Sequence, residues 1–177
     1  MKSQVNFSSG KQIVKISLPS FIAFVSLTLL SGSLSAQADF SGSWALNESK
    51  STLGDGPRMS VTSMTVNQQE NLMSIDIVQP SWDGGDMKRS EKYTLDGKES
   101  VNPGMMDSSV RTITTWSEDK KELSFAKTIL FDMNGDTMEL KIMDLWSISE
   151  DGKSLTVKST MTSEMGEMNL VLVYDKK

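Results

Sequence analysis

The sequence predicts an all-β protein, a single up-and-down antiparallel β-barrel of about ten strands that follows an N-terminal signal peptide. Apolar and polar residues alternate with a period of two over most of the chain after residue 38. Gly, Asn and Asp interrupt this alternation at short intervals, as turns require. When five hairpins are paired through these turns, the apolar faces of neighbouring strands fall on the same side.

The first 38 residues have the three-part pattern of a secretory signal. They hold three lysines and no acidic residue, then the apolar run FIAFVSLTLL, and then Ala36 and Ala38 in an A-x-A arrangement. A transmembrane anchor is the alternative, but ten residues rise only about 15 Å as a helix, about half of a bilayer core. We therefore expect residues 1–38 to be removed on export, without a membrane span afterwards. Residues 39–177 would form one domain in the periplasm or outside the cell.

The composition of the chain excludes several classes of function. Removal of 38 of the 177 residues leaves 139, with 15 basic and 23 acidic side chains and a net charge of −8. Such a surface argues against nucleic acid as a partner. The absence of His and Cys excludes Ser-His-Asp and Cys-His catalysis, the usual zinc sites and disulfides. No catalytic carboxylate pair stands out, so we expect neither an enzyme nor a cofactor, and the sequence leaves protein partners open.

Turn residues set the predicted registers. Asn134 and Gly135 favour a two-residue type I′ turn, because both tolerate positive φ, and this turn places Phe131 opposite Met138. The same test predicts four other pairs: Trp116 with Leu123, Ile148 with Leu155, Met161 with Leu170, and Val66 with Met73.

Ten strands are predicted, with sequential pairing throughout. Their bounds are residues 42–47, 59–68, 71–79, 88–95, 98–102, 109–117, 121–132, 136–149, 153–163 and 167–175. Closure into a barrel would remove the two exposed edges. A two-sheet sandwich is the main alternative, but short sequential hairpins favour the up-and-down barrel.

In an up-and-down barrel, successive loops lie alternately at the two ends of the barrel. Short polar turns near residues 69, 96–97, 118 and 151–152 predict a closed bottom, whereas longer glycine-containing loops predict a mouth at the other end. The predicted mouth residues are Trp82, Met105, Met106, Met133 and Met165.

Polar residues interrupt the inward face of the later strands. The derived register makes Lys127 and Asp144 diagonal cross-strand neighbours, within reach of each other. The predicted lumen site comprises Thr112, Thr114, Trp116, Phe125, Lys127, Asp144, Trp146 and Ser159. The Lys-Asp pair is either a headgroup site for a ligand or a structural salt bridge. Arg89 and Glu91 share one strand face, and either line the upper lumen or form a solvated strand end.

Methionine is abundant, with twelve of the 139 mature residues. Its flexible, polarizable side chain suits promiscuous apolar binding. Thioethers also bind Cu(I), and the stretch MGEM at residues 165–168 has the spacing of some copper motifs. The third interpretation is that methionine fills strands and loops.

The stretch FSGSWALNESKS, residues 40–51, resembles the start of the calycin superfamily. Lipocalins carry Gly-x-Trp on the first strand, and fatty-acid-binding proteins carry Phe-x-Gly-x-Trp-x-Leu, which Phe40, Gly42, Trp44 and Leu46 match. The stretch also looks like the start of bacterial secreted lipocalin-like domains. The resemblance implies that Gly42 and Trp44 form a structural plug at the closed end, with a basic residue near the chain's end beside the tryptophan. A helical lid, a C-terminal helix and the lipocalin disulfides are missing.

Three functional hypotheses follow. The first is an exported lipocalin-like barrel that binds a small hydrophobic or amphipathic molecule in its lumen. The second is a solidly packed structural or protein-interaction barrel without a ligand. The third is a methionine-rich protein that binds a soft metal, Cu(I).

Overall fold

The computed structural model describes residues 36–54, 60–81, 83–104, 108–133, 136–164 and 166–177. Ten strands dominate these residues, and the only helix among them is a 3-10 turn at Glu48–Lys50. The strands are β1 (Gly42–Leu46), β2 (Ser63–Gln68), β3 (Leu72–Pro80), β4 (Asp86–Thr94), β5 (Glu99–Pro103), β6 (Ser109–Trp116), β7 (Glu122–Met133), β8 (Asp136–Ile148), β9 (Ser154–Ser163) and β10 (Gly166–Lys176). Across the described ranges, no helix has the length and apolar character needed to cross a bilayer. The all-β prediction is confirmed.

All ten strands form one antiparallel sheet in the order β4-β3-β2-β1-β10-β9-β8-β7-β6-β5. The first and last strands pair, with Trp44 opposite Lys176, so the sheet curls back on itself. Strands adjacent in sequence pair everywhere except at β4 and β5. The molecule is therefore an up-and-down, nearly closed barrel.

Side chains close the seam between β4 and β5, where the sequence predicted ordinary strand pairing. The Asn102 amide donates to the carbonyl of Lys92 at 3.0 Å and accepts from the N–H of Lys92 at 2.8 Å. The Ser100 hydroxyl accepts from the N–H of Thr94 at 2.8 Å. Because these inserted side chains bond the backbone groups of β4, the two backbones do not form a ladder with each other.

Three of the five predicted hairpin registers are confirmed. The observed pairs are Trp116 with Leu123, Phe131 with Met138, and Ile148 with Leu155. The predicted type I′ turn at Asn134 and Gly135 lies outside the described residues.

The other two registers were wrong by two residues. In the β2–β3 hairpin Val66 lies opposite Ile75, because the N–H of Gln69 bonds the carbonyl of Leu72 and sets the turn one residue later than predicted. In the β9–β10 hairpin Met161 lies opposite Met168, because the turn falls one residue earlier. A slip of two residues keeps every side chain on its predicted face, so the interior face remains as predicted.

The residues before β1 cover the predicted bottom of the barrel. The N–H of Phe40 bonds the side-chain oxygen of Gln68 at 3.0 Å, and the N–H of Gln68 bonds the Ser41 hydroxyl at 3.1 Å. Phe40 is fully buried there, with its ring 5.9 Å from that of Trp116 and 5.8 Å from that of Trp146. This end is closed by packed aromatic rings.

Trp44 is also fully buried at this end, and its indole N–H donates to the carbonyl of Phe40 at 3.0 Å. The ammonium of Lys176 lies 5.2 Å from the centroid of the indole ring, within cation–π range. Gly42 has φ +141°, and an added Cβ there would lie 2.7 Å from Cε of Lys176. Glycine thus allows both the backbone conformation and the approach of the lysine.

The connection after β1 runs along β10 towards the opposite end. The N–H of Asn47 bonds the carbonyl of Val173 at 2.8 Å, and Thr52 pairs with Val171 through two backbone bonds. Leu53 follows at once and packs against the core. The connection therefore supplies one side of the space above the core.

Candidate functional site

A cavity of about 510 Å³ occupies the barrel interior above the closed end. Its size lies within the usual range for small-molecule sites. Six strands supply most of its wall as apolar side chains: Met64, Ile75, Ile77, Phe125, Ile142, Trp146, Val157, Met161, Met168, Leu170 and Leu172. Leu53, Ser60 and Val61 line it from the connection between β1 and β2.

A groove of similar volume, about 570 Å³, lies on the outer surface of β1 to β4. Exposed polar side chains such as Thr65, Asp76, Lys88 and Ser90 line it. It is a depression on a solvated sheet face, whereas the interior cavity combines apolar walls with buried charges. The interior cavity is therefore the candidate site.

Lys127 and Asp144 form an ion pair in the cavity wall. The Lys127 Nζ lies 2.8 Å from the Asp144 Oδ2, and the two side chains are 19% and 10% exposed. The strand register pairs Lys127 with Thr112, and places Asp144 between Phe125 and Ser159. The diagonal relation predicted for the pair is therefore present.

A second ion pair faces the cavity from β4. The Arg89 Nε lies 2.8 Å from the Glu91 Oε1, and the Tyr93 hydroxyl donates to the Glu91 Oε2 at 2.5 Å. The Arg89 Nη1 also donates to the side-chain oxygen of Gln79 on β3. All four side chains line the cavity, and Glu91 is buried.

The two pairs belong to one electrostatic cluster. Burial lowers the pKa of Lys127, but the carboxylates of Asp144 and Glu91 hold that pKa above its ordinary value. Burial raises the pKa of Glu91, but Lys127, Arg89 and the Tyr93 hydroxyl bring it below its ordinary value of 4.5. Burial raises the pKa of Tyr93, so its hydroxyl stays protonated and donates. Lys127 and Glu91 are thus held firmly in their charged forms at neutral pH.

Five of the eight residues predicted for the lumen site line this cavity: Phe125, Lys127, Asp144, Trp146 and Ser159. They come from β7, β8 and β9, three adjacent strands whose inward positions the register identifies.

The other three predicted lumen residues lie elsewhere. Trp116 stacks on Phe40 at the closed end. Thr112 and Thr114 are fully buried on β6, but neither lines the cavity, and their hydroxyls have no hydrogen-bond partner. The ring of Tyr93 on β4 meets that of Phe125 on β7 with centroids 5.0 Å apart. Because these strands flank β5 and β6, the two rings separate the β6 wall from the cavity.

The predicted mouth falls almost wholly outside the described residues. Trp82, Met105, Met106 and Met165 are not among them, and the side chain of Met133 is not described either. Three other methionines do line the cavity: Met64 on β2, and Met161 and Met168, which lie directly opposite each other on β9 and β10.

The predicted site did not include Gln79 or Tyr93, and the sequence left open whether Arg89 and Glu91 line the lumen, which they do. On β4 both faces carry charged or polar residues, so alternation alone does not identify the inward face. A signal existed for Gln79, because it continues the buried series of alternate residues on β3.

Within the part of the chain that the structure describes, no group of three or more acidic side chains could hold a metal ion. No protein-family model matches the chain, and no curated protein matches it. The barrel and the chemistry of its cavity therefore carry the functional argument.

Proposed function

We propose that this protein is an exported, calycin-like barrel that binds a small hydrophobic or amphipathic molecule in its lumen. The observation that carries the proposal is the cavity of about 510 Å³, with apolar walls and a small cluster of buried polar groups. This combination is typical of small-molecule sites, where apolar walls supply affinity and a few polar groups orient the ligand.

Packing density supports a binding role over a purely structural one. Protein interiors are close-packed, with few voids larger than a water molecule. This cavity is many times larger than the roughly 30 Å³ that a water occupies. Apolar surface left in contact with water loses about 25 cal/mol per Å² relative to burial. An apolar ligand would recover part of that free energy by displacing the water.

The start of the barrel supports the calycin-like part of the proposal. Gly42 and Trp44 lie on the first strand, that strand pairs with the last one, and Lys176 lies over the indole ring. This is the arrangement that the resemblance implied. A binding role also agrees with a sequence that has neither His nor Cys for nucleophilic catalysis.

Export is part of the same proposal and rests on the three-part pattern of residues 1–38. We expect the expressed full chain to appear outside the cytoplasm without residues 1–38. Deletion of those residues should retain the protein in the cytoplasm. Recovery of the deleted form in the exported fraction would contradict the proposed export.

Binding is tested with a neutral fluorophore that brightens in apolar surroundings, titrated with protein from the exported fraction. We expect saturable binding by the wild type. In the Ser159→Trp variant a large side chain fills the cavity, and binding should fall at least about tenfold. Lys158→Trp is the matched control, because Lys158 is the exposed neighbour on the same strand.

Thermal unfolding of both variants shows whether each is folded. If folded Ser159→Trp and the wild type bind the probe equally well, the probe binds outside the lumen. Absence of saturable binding by the wild type would contradict the proposed function, whether or not the two variants fold.

A further inference from the structure

The charges in the cavity wall occur in matched pairs. Among the described residues that line the cavity, four carry a formal charge: Arg89, Glu91, Lys127 and Asp144. Each cation lies 2.8 Å from a carboxylate oxygen. The four charges of the site thus sum to zero, and both carboxylates are buried.

We propose that this site, if it binds as inferred above, selects uncharged amphipathic molecules over fatty acids and alkylamines. The favoured ligands carry an alcohol, ester or amide group on an apolar body. The ion pairs then serve as hydrogen-bonding groups for a neutral head.

An anionic head gains little in this cavity. Moving a carboxylate out of water is costly even after relaxation, and an unpaired cation has to offset that cost. Lys127 would attract the head, but Asp144, 2.8 Å from the Lys127 ammonium, and Glu91, which also interacts with that ammonium, would repel the head. Arg89 is likewise already bonded to Glu91 and Gln79. For an alkylammonium the signs are reversed: Asp144 and Glu91 would attract its head, but Lys127 and Arg89 would repel it.

A neutral head avoids that cost and still finds partners. An ammonium has three N–H donors and a carboxylate about four acceptor positions, so one bond between Lys127 and Asp144 leaves capacity on both. The Ser159 hydroxyl lines the cavity beside Asp144. An alcohol or amide can therefore donate and accept without disturbing either ion pair.

The test is a competition series on one alkyl chain, which compares the alcohol, methyl ester, primary amide, carboxylic acid and amine. Each competes with the neutral fluorophore for the wild-type protein near neutral pH, where the acid and amine are ionised. We expect the neutral members to displace the probe at concentrations at least about tenfold lower than the ionised ones. An acid or amine that competes as well as the alcohol overturns the selectivity.

Two variants should change the preference in a defined direction. Asp144→Asn leaves the charge of Lys127 without its partner, and Glu91→Gln does the same for Arg89. Each should improve competition by the acid relative to the alcohol by about tenfold. Glu99→Gln is the control, because Glu99 is exposed on β5 and should leave the ratio unchanged.

The outcomes separate the two proposals. Probe binding with a preference for the acid removes the selectivity and keeps the binding function. Absence of probe binding by the wild type removes both. A ratio unchanged in a folded Asp144→Asn or Glu91→Gln variant also overturns the selectivity. If neither variant folds, the wild-type series decides.

Discussion

The closed end and the cavity of this barrel use similar strands in opposite ways. At the closed end Phe40, Trp44 and Trp116 fill the space with rings, and the ammonium of Lys176 lies over the ring of Trp44. Higher in the barrel, two ion pairs with buried carboxylates and partly exposed cations line open space. On β8 the two regions meet within two residues, since Trp146 contacts Phe40 and Asp144 bonds Lys127.

This contrast shows that an inward position does not by itself decide what a residue does. Depth along the strand decides whether the side chain packs against rings or faces the cavity. We therefore expect changes at the closed end to act on stability, and changes in the cavity to act mainly on binding.

Trp44→Ala should produce the largest loss of stability. Removal of a fully buried indole leaves a cavity and should lower the free energy of unfolding by about 3–5 kcal/mol. Urea denaturation measures this loss. Val101→Ala is the control, because Val101 is exposed and its truncation should cost less than about 0.5 kcal/mol. Loss of probe binding without loss of stability would contradict the role of Trp44 at the closed end.

Asn102→Ala tests the seam between β4 and β5. The substitution leaves the N–H and carbonyl of Lys92 without their partner, so we expect a loss of about 1–3 kcal/mol in unfolding free energy. Asn67→Ala on β2 is the matched control, since Asn67 is exposed and its loss should be small. An equal effect of the two substitutions would mean that the seam adds nothing to stability.

Acid should weaken the fold partly through Glu91. The pKa of Glu91 is lowered in the folded protein, so its contribution is fully present above its unfolded pKa, near 4.5, and is lost as pH falls through the lower folded value. Between about pH 5 and pH 3 the wild type should therefore lose more stability than Glu91→Gln. Chemical denaturation at several pH values measures both slopes. A steeper loss in the variant would reverse the inferred sign.

Lys176→Met should have the smallest effect. It removes the cation–π contact with Trp44 while keeping an apolar stem, and we expect a loss of about 0.5–1 kcal/mol. If the contact needs the indole ring, Lys176→Met should cause no further loss of stability in a Trp44→Phe background. A double-mutant cycle by urea denaturation measures that coupling.

Turn chemistry and period-two alternation were enough to predict ten strands and the pairing of every two consecutive strands except β4 and β5. The two register errors arose where several neighbouring residues suit a turn equally, as around Gln69. The seam could not be predicted, because the bonds from Asn102 and Ser100 to backbone groups leave no periodic trace in the sequence.

The candidate site was only partly predictable for a similar reason. Cross-strand geometry brought Lys127 and Asp144 together from sequence alone. By contrast, the separation of Thr112 from the cavity depends on the contact between Tyr93 and Phe125. That contact joins strands far apart in the sheet, which a hairpin-by-hairpin derivation does not relate.

Native mass spectrometry of protein from the exported fraction tests the binding claim most directly. We expect the wild type and Lys158→Trp to retain a small molecule or added neutral amphiphile, and folded Ser159→Trp to lose it. Wild-type protein that carries no adduct, and takes none up from an added neutral amphiphile, would contradict a ligand-binding lumen.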